Sequence, residues 1–134
     1  MDDCIFCKII KGDIPGRIIA ENDEYMAFLD IQPVALGHSL VVPKKHYKDL
    51  LEFERKKGGG LFAFIQEVSS RVIKATGSEG FNVWMNNGRS AGQLVNHLHF
   101  HIIPRKGGDF SYKVEKLKLT EEEMEEVQQK ILNS

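Results

Sequence analysis

Long apolar runs are missing from this chain of 134 residues. None approaches the roughly 20 residues that a membrane span needs, and no charged segment precedes an apolar stretch near Met1. An excess of either charge is also missing, since 18 Lys and Arg residues stand against 19 Asp and Glu residues. Without a basic excess, duplex binding is not indicated. We therefore expect a cytoplasmic protein that binds neither membranes nor nucleic acid.

Cysteine is scarce as well, with two residues, Cys4 and Cys7, in a Cys-x-x-Cys spacing. In a cytosolic chain such a pair does not indicate a structural disulfide and needs another explanation. The chain shows no internal repeat, no low-complexity segment and no linker between two apolar cores. The length suits one core, so we predict a single domain over residues 1–134.

The apolar pattern predicts an α+β fold with an antiparallel sheet. Helix-like spacing marks residues 61–75, where apolar residues recur every three or four positions and Gly77 follows as a C-cap. Thr120 and Glu123 fit a capping box that opens a C-terminal helix. Residues 4–10 read as a short helical turn, and residues 55–60, RKKGGG, as a flexible approach to the main helix. Strands are predicted at residues 17–21, 25–31, 38–43, 81–86 and 97–103.

Three of the five histidines alternate with apolar residues in the last predicted strand. Alternation places His97, His99 and His101 on one face, roughly 6.6 Å apart, and the residues between them on the core face. A solvated face would rarely repeat imidazole, so a metal site or nucleophilic catalysis is indicated. Three in-line imidazoles at that spacing fit poorly around a single ion.

The loop before these histidines, residues 86–93, is rich in glycine and amides. Gly88 and Gly92 allow close approach of a ligand to the backbone, while Asn86 and Gln93 offer neutral hydrogen bonds. Such a loop suits a phosphate, although Asn-Gly is also an ordinary turn dipeptide.

Several segments together resemble the histidine triad family. HLHFHII resembles the His-x-His-x-His motif, and CIFCKIIKGDIP, AFLDIQPVALGHSLVVPKKH and GQLVNHLHFHIIPR resemble family segments in the family's order. The resemblance implies a small α+β domain with a five-stranded antiparallel sheet, one main helix and a C-terminal helix. It also implies a homodimer that extends the sheet across a two-fold axis.

The resemblance further implies a nucleotidyl hydrolase or transferase. His99 would attack the α-phosphorus of a nucleoside phosphoramidate or polyphosphate, and water would then release the monophosphate. A neutral imidazole is a suitable nucleophile near pH 7, and the phosphoryl oxygens need hydrogen-bond donors. His101, Asn86 and Gln93 would supply these donors, together with His99 itself at the phosphate. His38 would lie behind the nucleophile and orient its ring.

The same resemblance implies a purine nucleotide as substrate, with an AMP or GMP moiety. Asp30 would accept hydrogen bonds from the ribose hydroxyls, although a turn-capping role is the alternative at this position. Apolar residues would sandwich the base: Ile5, Phe6, Ile9, Phe28 and Ile31. Without the resemblance, these five would be assigned to the core.

The two cysteines could be a redox pair, half of a metal site or a chance spacing. A redox-active Cys-x-x-Cys pair is expected beside a βαβ unit, and the predicted strands and helices contain no such unit. Some histidine triad proteins carry a structural zinc ion in a Cys₂His₂ set, and Cys4, Cys7, His46 and His97 match all four positions. Zinc on His97 would leave His99 free for the phosphate.

The sequence leaves the substrate branch and the function class open. The chain lacks a Trp-Pro-Pro-Gly ending, and Leu94 stands where phosphoramidate hydrolases often carry serine, whereas the stretch from Gln93 to Lys106 resembles the dinucleoside polyphosphate branch. The alternatives to a hydrolase are a non-catalytic nucleotide sensor or interaction module and a purely zinc-structural protein.

Overall fold

A five-stranded antiparallel sheet is the centre of the fold in the computed structural model, which describes residues 3–110 and 115–134. The strand order is β1-β2-β3-β5-β4, so β1 and β4 form the two edges. This arrangement confirms the predicted α+β class and antiparallel sheet. In chain order the elements are α1 (Ile5–Lys11), β1 (Ile18–Glu21), β2 (Tyr25–Leu29), β3 (Ser39–Pro43), α2 (Gly58–Thr76), β4 (Gly80–Trp84), β5 (Phe100–Arg105) and α3 (Glu121–Leu132).

Different helices pack against the two faces of the sheet. Helices α2 and α3 cover the helix face, which carries Tyr25, Ala27, Leu29, Val41 and Ile102. The opposite face, here called the histidine face, carries Met26, Phe28, Leu40 and Val42 and packs against α1. Directly paired residues point to the same side of a sheet. The pairs Phe28–Leu40, Leu40–His101 and His101–Trp84 therefore form one row across the histidine face.

The last strand begins later than the pattern predicts. Strand β5 starts at Phe100, so His97, Leu98 and His99 lie in the segment that leads into it. The Leu98 N–H donates to the carbonyl of Tyr47 at 2.7 Å, which ties this segment to a loop instead of a strand ladder. The predicted alternation survives, because Leu98 is buried in the helix-face core while the His99 ring packs on Phe6 of α1.

Residues 55–60 do not form the flexible approach that we predicted. Arg55–Lys57 is a 3-10 turn, and the three glycines form the first turn of α2. The Lys57 N–H donates to the Glu54 carbonyl, and the Tyr25 hydroxyl donates to the carbonyl of Lys57. Backbone bonds of this kind offset the entropy that glycine loses in a helix.

The predicted helix ends are confirmed. Gly77 is left-handed at φ 67° and caps α2, while Thr120 and Glu123 exchange the two bonds of a capping box at 3.0 and 2.9 Å. Arg17 pairs with Glu121 at 2.6 Å and with Glu125 at 2.5 Å, which fixes α3 beside β1. Among the described residues, no helix is both long and apolar enough to cross a membrane.

Candidate active site and metal centre

His38 is held at the start of β3 by the tight turn before it. Gly37 has φ of 90°, and a Cβ there would lie 2.8 Å from the Thr76 side chain, so this position requires glycine. The Val34 N–H donates to His38 Nδ1 at 3.1 Å. Nδ1 of His38 is therefore the unprotonated nitrogen, and Nε2 carries the hydrogen.

His38 orients His101, not the predicted nucleophile. His38 Nε2 lies 2.9 Å from His101 Nδ1 and donates its hydrogen there, because its own Nδ1 is already an acceptor. His101 then carries its hydrogen on Nε2, the nitrogen turned away from His38. The prediction that His38 orients His99 was wrong, because the register of β5 places His101, not His99, opposite Leu40. A chain of two bonds makes His101 a hydrogen-bond donor.

His99 takes its orientation from its own backbone. Its Nδ1 lies 2.7 Å from the carbonyl oxygen of His97, to which it donates. This bond fixes the tautomer with a lone pair on Nε2, the state that a nucleophile needs. The ring packs edge-on against Phe6, with centroids 5.2 Å apart, and against His101, with centroids 5.1 Å apart. A nucleophilic nitrogen and a donor imidazole are thus adjacent.

Burial keeps these imidazoles neutral. It lowers the pKa of His38 and of His101 to about 4, and the charges of Lys116 and neighbouring histidines act in the same direction while Asp30 opposes them. Burial also lowers the pKa of His99, which is 7% exposed, so that its lone pair is present at neutral pH.

Asp30 follows β2 and has two environments. One carboxylate oxygen accepts from the Gln32 N–H at 2.8 Å, which is the turn-capping role. The other lies 3.5 Å from His38 Nε2 and 4.0 Å from His101 Nδ1. Carboxylate oxygens have several lone pairs, so ribose hydroxyls could still be accepted.

Gln93 is not arranged as the predicted phosphate donor. Its amide is buried, and Nε2 donates both hydrogens, to the Lys48 carbonyl at 2.7 Å and the Val95 carbonyl at 2.9 Å. Its Oε1 accepts from the Gly88 N–H at 2.8 Å. Because every polar atom of the amide is engaged, Gln93 shapes the loop instead of contacting a phosphate through its side chain.

Asn86 is partly exposed at the start of this loop. Its side chain lies against Gly92, whose φ of 92° suits glycine. The only bond of its Nδ2 within the described residues is a long one of 3.5 Å to the Gly92 carbonyl. An amide held this weakly could donate to a ligand oxygen.

The predicted base-binding residues divide into two groups. Phe6 and Phe28 are buried and meet edge-to-face at 5.4 Å, so they form the floor of the histidine face. Ile5 is 43% exposed and Ile31 is 84% exposed, while Ile9 is partly buried against Gly16. Exposed aliphatic side chains at Ile5 and Ile31 are the ones available to an incoming base.

Cys4, Cys7, His46 and His97 converge at the start of α1. Their four candidate ligand atoms lie within 4.8 Å of one another. Cys4 Sγ is 3.4 Å from His97 Nδ1, and Cys7 Sγ is 3.3 Å from His46 Nδ1 and 3.5 Å from His97 Nδ1. Zinc bonds of 2.3 Å to sulfur and 2.1 Å to nitrogen place tetrahedral ligands about 3.6 Å apart, so the donor set fits zinc.

The protonation states of these four side chains are also compatible with the binding of a cation. His97 Nε2 donates to the Pro43 carbonyl at 2.8 Å, which leaves a lone pair on Nδ1, the nitrogen that faces both sulfurs. Burial and the neighbouring Cys4 raise the pKa of Cys7 to about 11, so without a cation its thiol stays protonated. A divalent ion would reverse this, because thiols bind metals as thiolates.

The comparisons with known proteins agree with this geometry. The HIT domain model matches residues 11–108. An uncharacterized HIT-like protein of Methanocaldococcus jannaschii is 52% identical, covering 79% of this chain and 81% of its own length. An adenosine 5′-monophosphoramidase of Schizosaccharomyces pombe is 44% identical, covering 83% and 80% respectively.

Solved structures match the whole fold. A hypothetical histidine triad nucleotide-binding protein of Sulfolobus tokodaii superposes with a TM-score of 0.88 at 38% identity, covering 97% of this chain and 90% of its own. A zinc-bound histidine triad family protein of Mycobacterium smegmatis gives 0.83 at 31% identity, covering 98% and 95%. Fold and site thus define a histidine triad protein. The chain belongs to the HIT family.

Sequence reasoning missed the backbone groups that set the tautomers. The Val34 N–H and the carbonyls of Pro43 and His97 fix three imidazoles, and Lys48 and Val95 supply carbonyls to Gln93. Backbone groups occur at every residue, so no residue type could have marked these five.

Proposed function

We propose that this protein is a nucleotidyl hydrolase that forms a nucleotidyl-histidine intermediate on His99. It would cleave the bond between the α-phosphorus of a purine nucleotide and its leaving group, in a phosphoramidate or a dinucleoside polyphosphate. The observation that carries the proposal is the tautomer of His99, which leaves the lone pair on Nε2 of a ring whose centre lies 5.1 Å from that of His101. The relative named as an adenosine 5′-monophosphoramidase supports hydrolysis of nucleotides as the activity.

The proposed reaction follows from the positions of the hydrogens on His99 and His101. His99 Nε2 attacks the α-phosphorus, forming a phosphorus–nitrogen bond while the bond to the leaving group breaks. The hydrogen on His101 Nε2 stays on the ring and donates a hydrogen bond to the phosphoryl oxygen, while the leaving group takes its proton from solvent. Water then attacks phosphorus, the phosphorus–nitrogen bond to His99 breaks, the proton of the water passes to solvent, and the nucleoside monophosphate is released. Asn86 is the amide we assign to a phosphoryl oxygen.

The nucleoside would bind between α1 and the loop after β2. Asp30 accepts the ribose hydroxyls, while Ile5, Ile9 and Ile31 enclose a purine over the floor made by Phe6 and Phe28. An AMP or GMP moiety fits this apolar pocket, which recognises a base by its shape.

A zinc ion in the Cys4, Cys7, His46 and His97 set would be structural, because four protein ligands leave no open position. It would pin α1, and with it the nucleoside pocket, to the segment that carries His99. The fit of the ligand distances and the zinc-bound relative support this assignment.

We further infer a homodimer through β4. This strand is an edge, and its helix-face residues Phe81 and Val83 are each 42% exposed, while Phe62 of α2 is 68% exposed. Unpaired edges with apolar neighbours favour strand pairing. Light scattering of the parent and of Val83→Lys tests it: we expect a dimer and a monomer respectively, and a monomeric parent would refute it.

The single domain over residues 1–134 and the cytoplasmic location remain predictions.

The test of the activity uses adenosine phosphoramidate and diadenosine tetraphosphate. Release of adenosine monophosphate is measured for the parent and for His99→Ala, with binding of adenosine monophosphate to both as the control for folding. We expect turnover by the parent alone, and an adenylyl group on the acid-quenched parent by mass spectrometry. Binding without any turnover by the parent would favour the nucleotide sensor instead.

A further inference from the structure

A cationic and aromatic cluster on the histidine face extends the site beyond the catalytic histidines. The Arg105 guanidinium lies 5.8 Å from the centre of the Trp84 ring and 5.4 Å from that of Phe110. Its Nε donates to Asn82 Oδ1 at 2.9 Å. Trp84, Arg105 and Phe110 are here called the arginine cluster.

The arginine cluster is close to the reacting atoms. Trp84 is the direct strand partner of His101, and Arg105 lies four residues beyond His101 on the same face of β5. Its side chain runs back along the strand, since it bonds Asn82 and covers the Trp84 ring two residues further on. The guanidinium therefore lies within one strand repeat, about 7 Å, of the row that contains His101.

The cluster lies on the side of His101 opposite to the nucleoside pocket. Asp30 and Phe28 belong to β2 and its following loop, on one side of β5, whereas Trp84 belongs to β4, on the other. In-line attack expels the leaving group on the side of phosphorus opposite His99 Nε2. With the ribose at Asp30 on the β2 side of the row that contains His101, the Trp84 side of that row is left for the leaving group.

The chemistry of the cluster fits an anion that carries a base. Within residues 3–110 and 115–134 the Arg105 guanidinium forms no ion pair, and its Nε bond to Asn82 leaves the terminal nitrogens for a phosphate. Trp84 is partly exposed, so its ring is accessible for stacking with a base. Burial is the main cause of the lowered His38 pKa, and the positive charge of Arg105 lowers it further. The guanidinium therefore acts electrostatically on the histidines of the site.

We propose that the arginine cluster is the leaving-group subsite, and that it selects a nucleotide-containing polyphosphate leaving group over an amine. Arg105 binds the phosphates beyond the α-phosphate, and the distal base stacks on the Trp84 ring. The proposal rests on the proposed function and names its substrate class as dinucleoside polyphosphates.

The first test compares kcat/KM for diadenosine tetraphosphate and adenosine phosphoramidate, which share the adenylyl group and differ in the leaving group. Trp84→Ala and Arg105→Ala should each shift the ratio at least tenfold toward the phosphoramidate, because base stacking and phosphate contacts are lost with one substrate only. Trp84→Phe should restore most of the ratio. Arg55→Ala, which removes an exposed cation before α2, is the control for long-range charge. A ratio that stays within twofold in both variants overturns the proposal, as does an equal loss with both substrates.

The second test needs no turnover, so it separates this proposal from the hydrolase assignment. Trp84 is the single tryptophan of the chain, so its fluorescence reports the subsite directly. In His99→Ala, diadenosine tetraphosphate should quench this fluorescence and bind at least tenfold tighter than adenosine monophosphate, and Arg105→Ala should remove that advantage. Equal affinities and equal quenching by the two nucleotides would refute the subsite even where the parent proves to be a hydrolase.

Discussion

The substitution Cys4→Ser isolates the contribution of the metal centre. Cys4 is a predicted zinc ligand and also the N-cap of α1, where its sulfur accepts from the Cys7 N–H at 3.4 Å. Serine is a preferred N-cap residue, so the variant keeps the cap while it loses the thiolate. Any loss of stability in the variant therefore belongs to the metal centre and not to the helix end.

The expected loss follows from ligand linkage. A site that is filled at a hundredfold excess over its dissociation constant stabilises the folded state by about 2.7 kcal/mol. For a domain of this size, each kcal/mol corresponds to about 4 °C in melting temperature, so Cys4→Ser should melt about 10 °C below the parent. Nucleotide affinity should fall with it, because Phe6 lies between the two cysteines and packs at 5.2 Å on His99. The value of kcat should change less.

The assay is thermal unfolding with metal analysis, and the chelated parent is its matched control. The parent should contain one zinc ion per chain, and a strong chelator should lower its melting temperature to that of Cys4→Ser. The variant itself should not respond to the chelator. Equal melting temperatures of parent and variant, or a parent whose melting temperature does not change with chelator, would show that the four side chains lie together without binding a metal.

Three further predictions concern the rest of the site. His38→Asn should lower kcat by about 10- to 100-fold with little change in KM, because His101 loses the donor that fixes its tautomer, whereas comparable losses in KM would indicate a general disruption. Acid should destabilise the fold: the pKa of His38 and His101 falls to about 4 from 6.5, so between these values the unfolded chain binds more protons. The free energy of unfolding should therefore drop as the pH falls from 6.5 toward 4, by on the order of 3 kcal/mol between pH 6.5 and pH 5 for the two groups together, with a smaller drop in His38→Asn; a flat urea midpoint over this range would contradict it. Gln93→Ala should cost about 2–3 kcal/mol in urea unfolding because it strands the Lys48 and Val95 carbonyls, and an unchanged midpoint would mean that water replaces the amide.

The sequence predicted the elements of the fold, and it singled out side chains that the structure brings together, because both depend on local pattern. Alternation separated His99 and His101 from Leu98 even though the segment before Phe100 is not a strand. What failed depended on register and on backbone partners. Whether His38 meets His99 or His101 is decided by the pairing of Leu40 with His101, and the burial of Gln93 is decided by the distant Lys48 carbonyl. Neither residue type nor spacing encodes such a contact between separate segments.

The three imidazoles of the triad divide between the two neutral tautomers, and the partners of each ring decide which nitrogen is left for a ligand. His97 donates through Nε2 to a carbonyl and turns Nδ1 to the sulfurs, whereas His99 donates through Nδ1 and keeps Nε2 free. His101 accepts at Nδ1 and must carry its hydrogen on Nε2. The proposed roles need these nitrogens: a lone pair on Nδ1 of His97 for a metal, a lone pair on Nε2 of His99 for attack, and a hydrogen on Nε2 of His101 for donation. The backbone carbonyls of Pro43 and His97, together with His38, decide which nitrogen each ring presents.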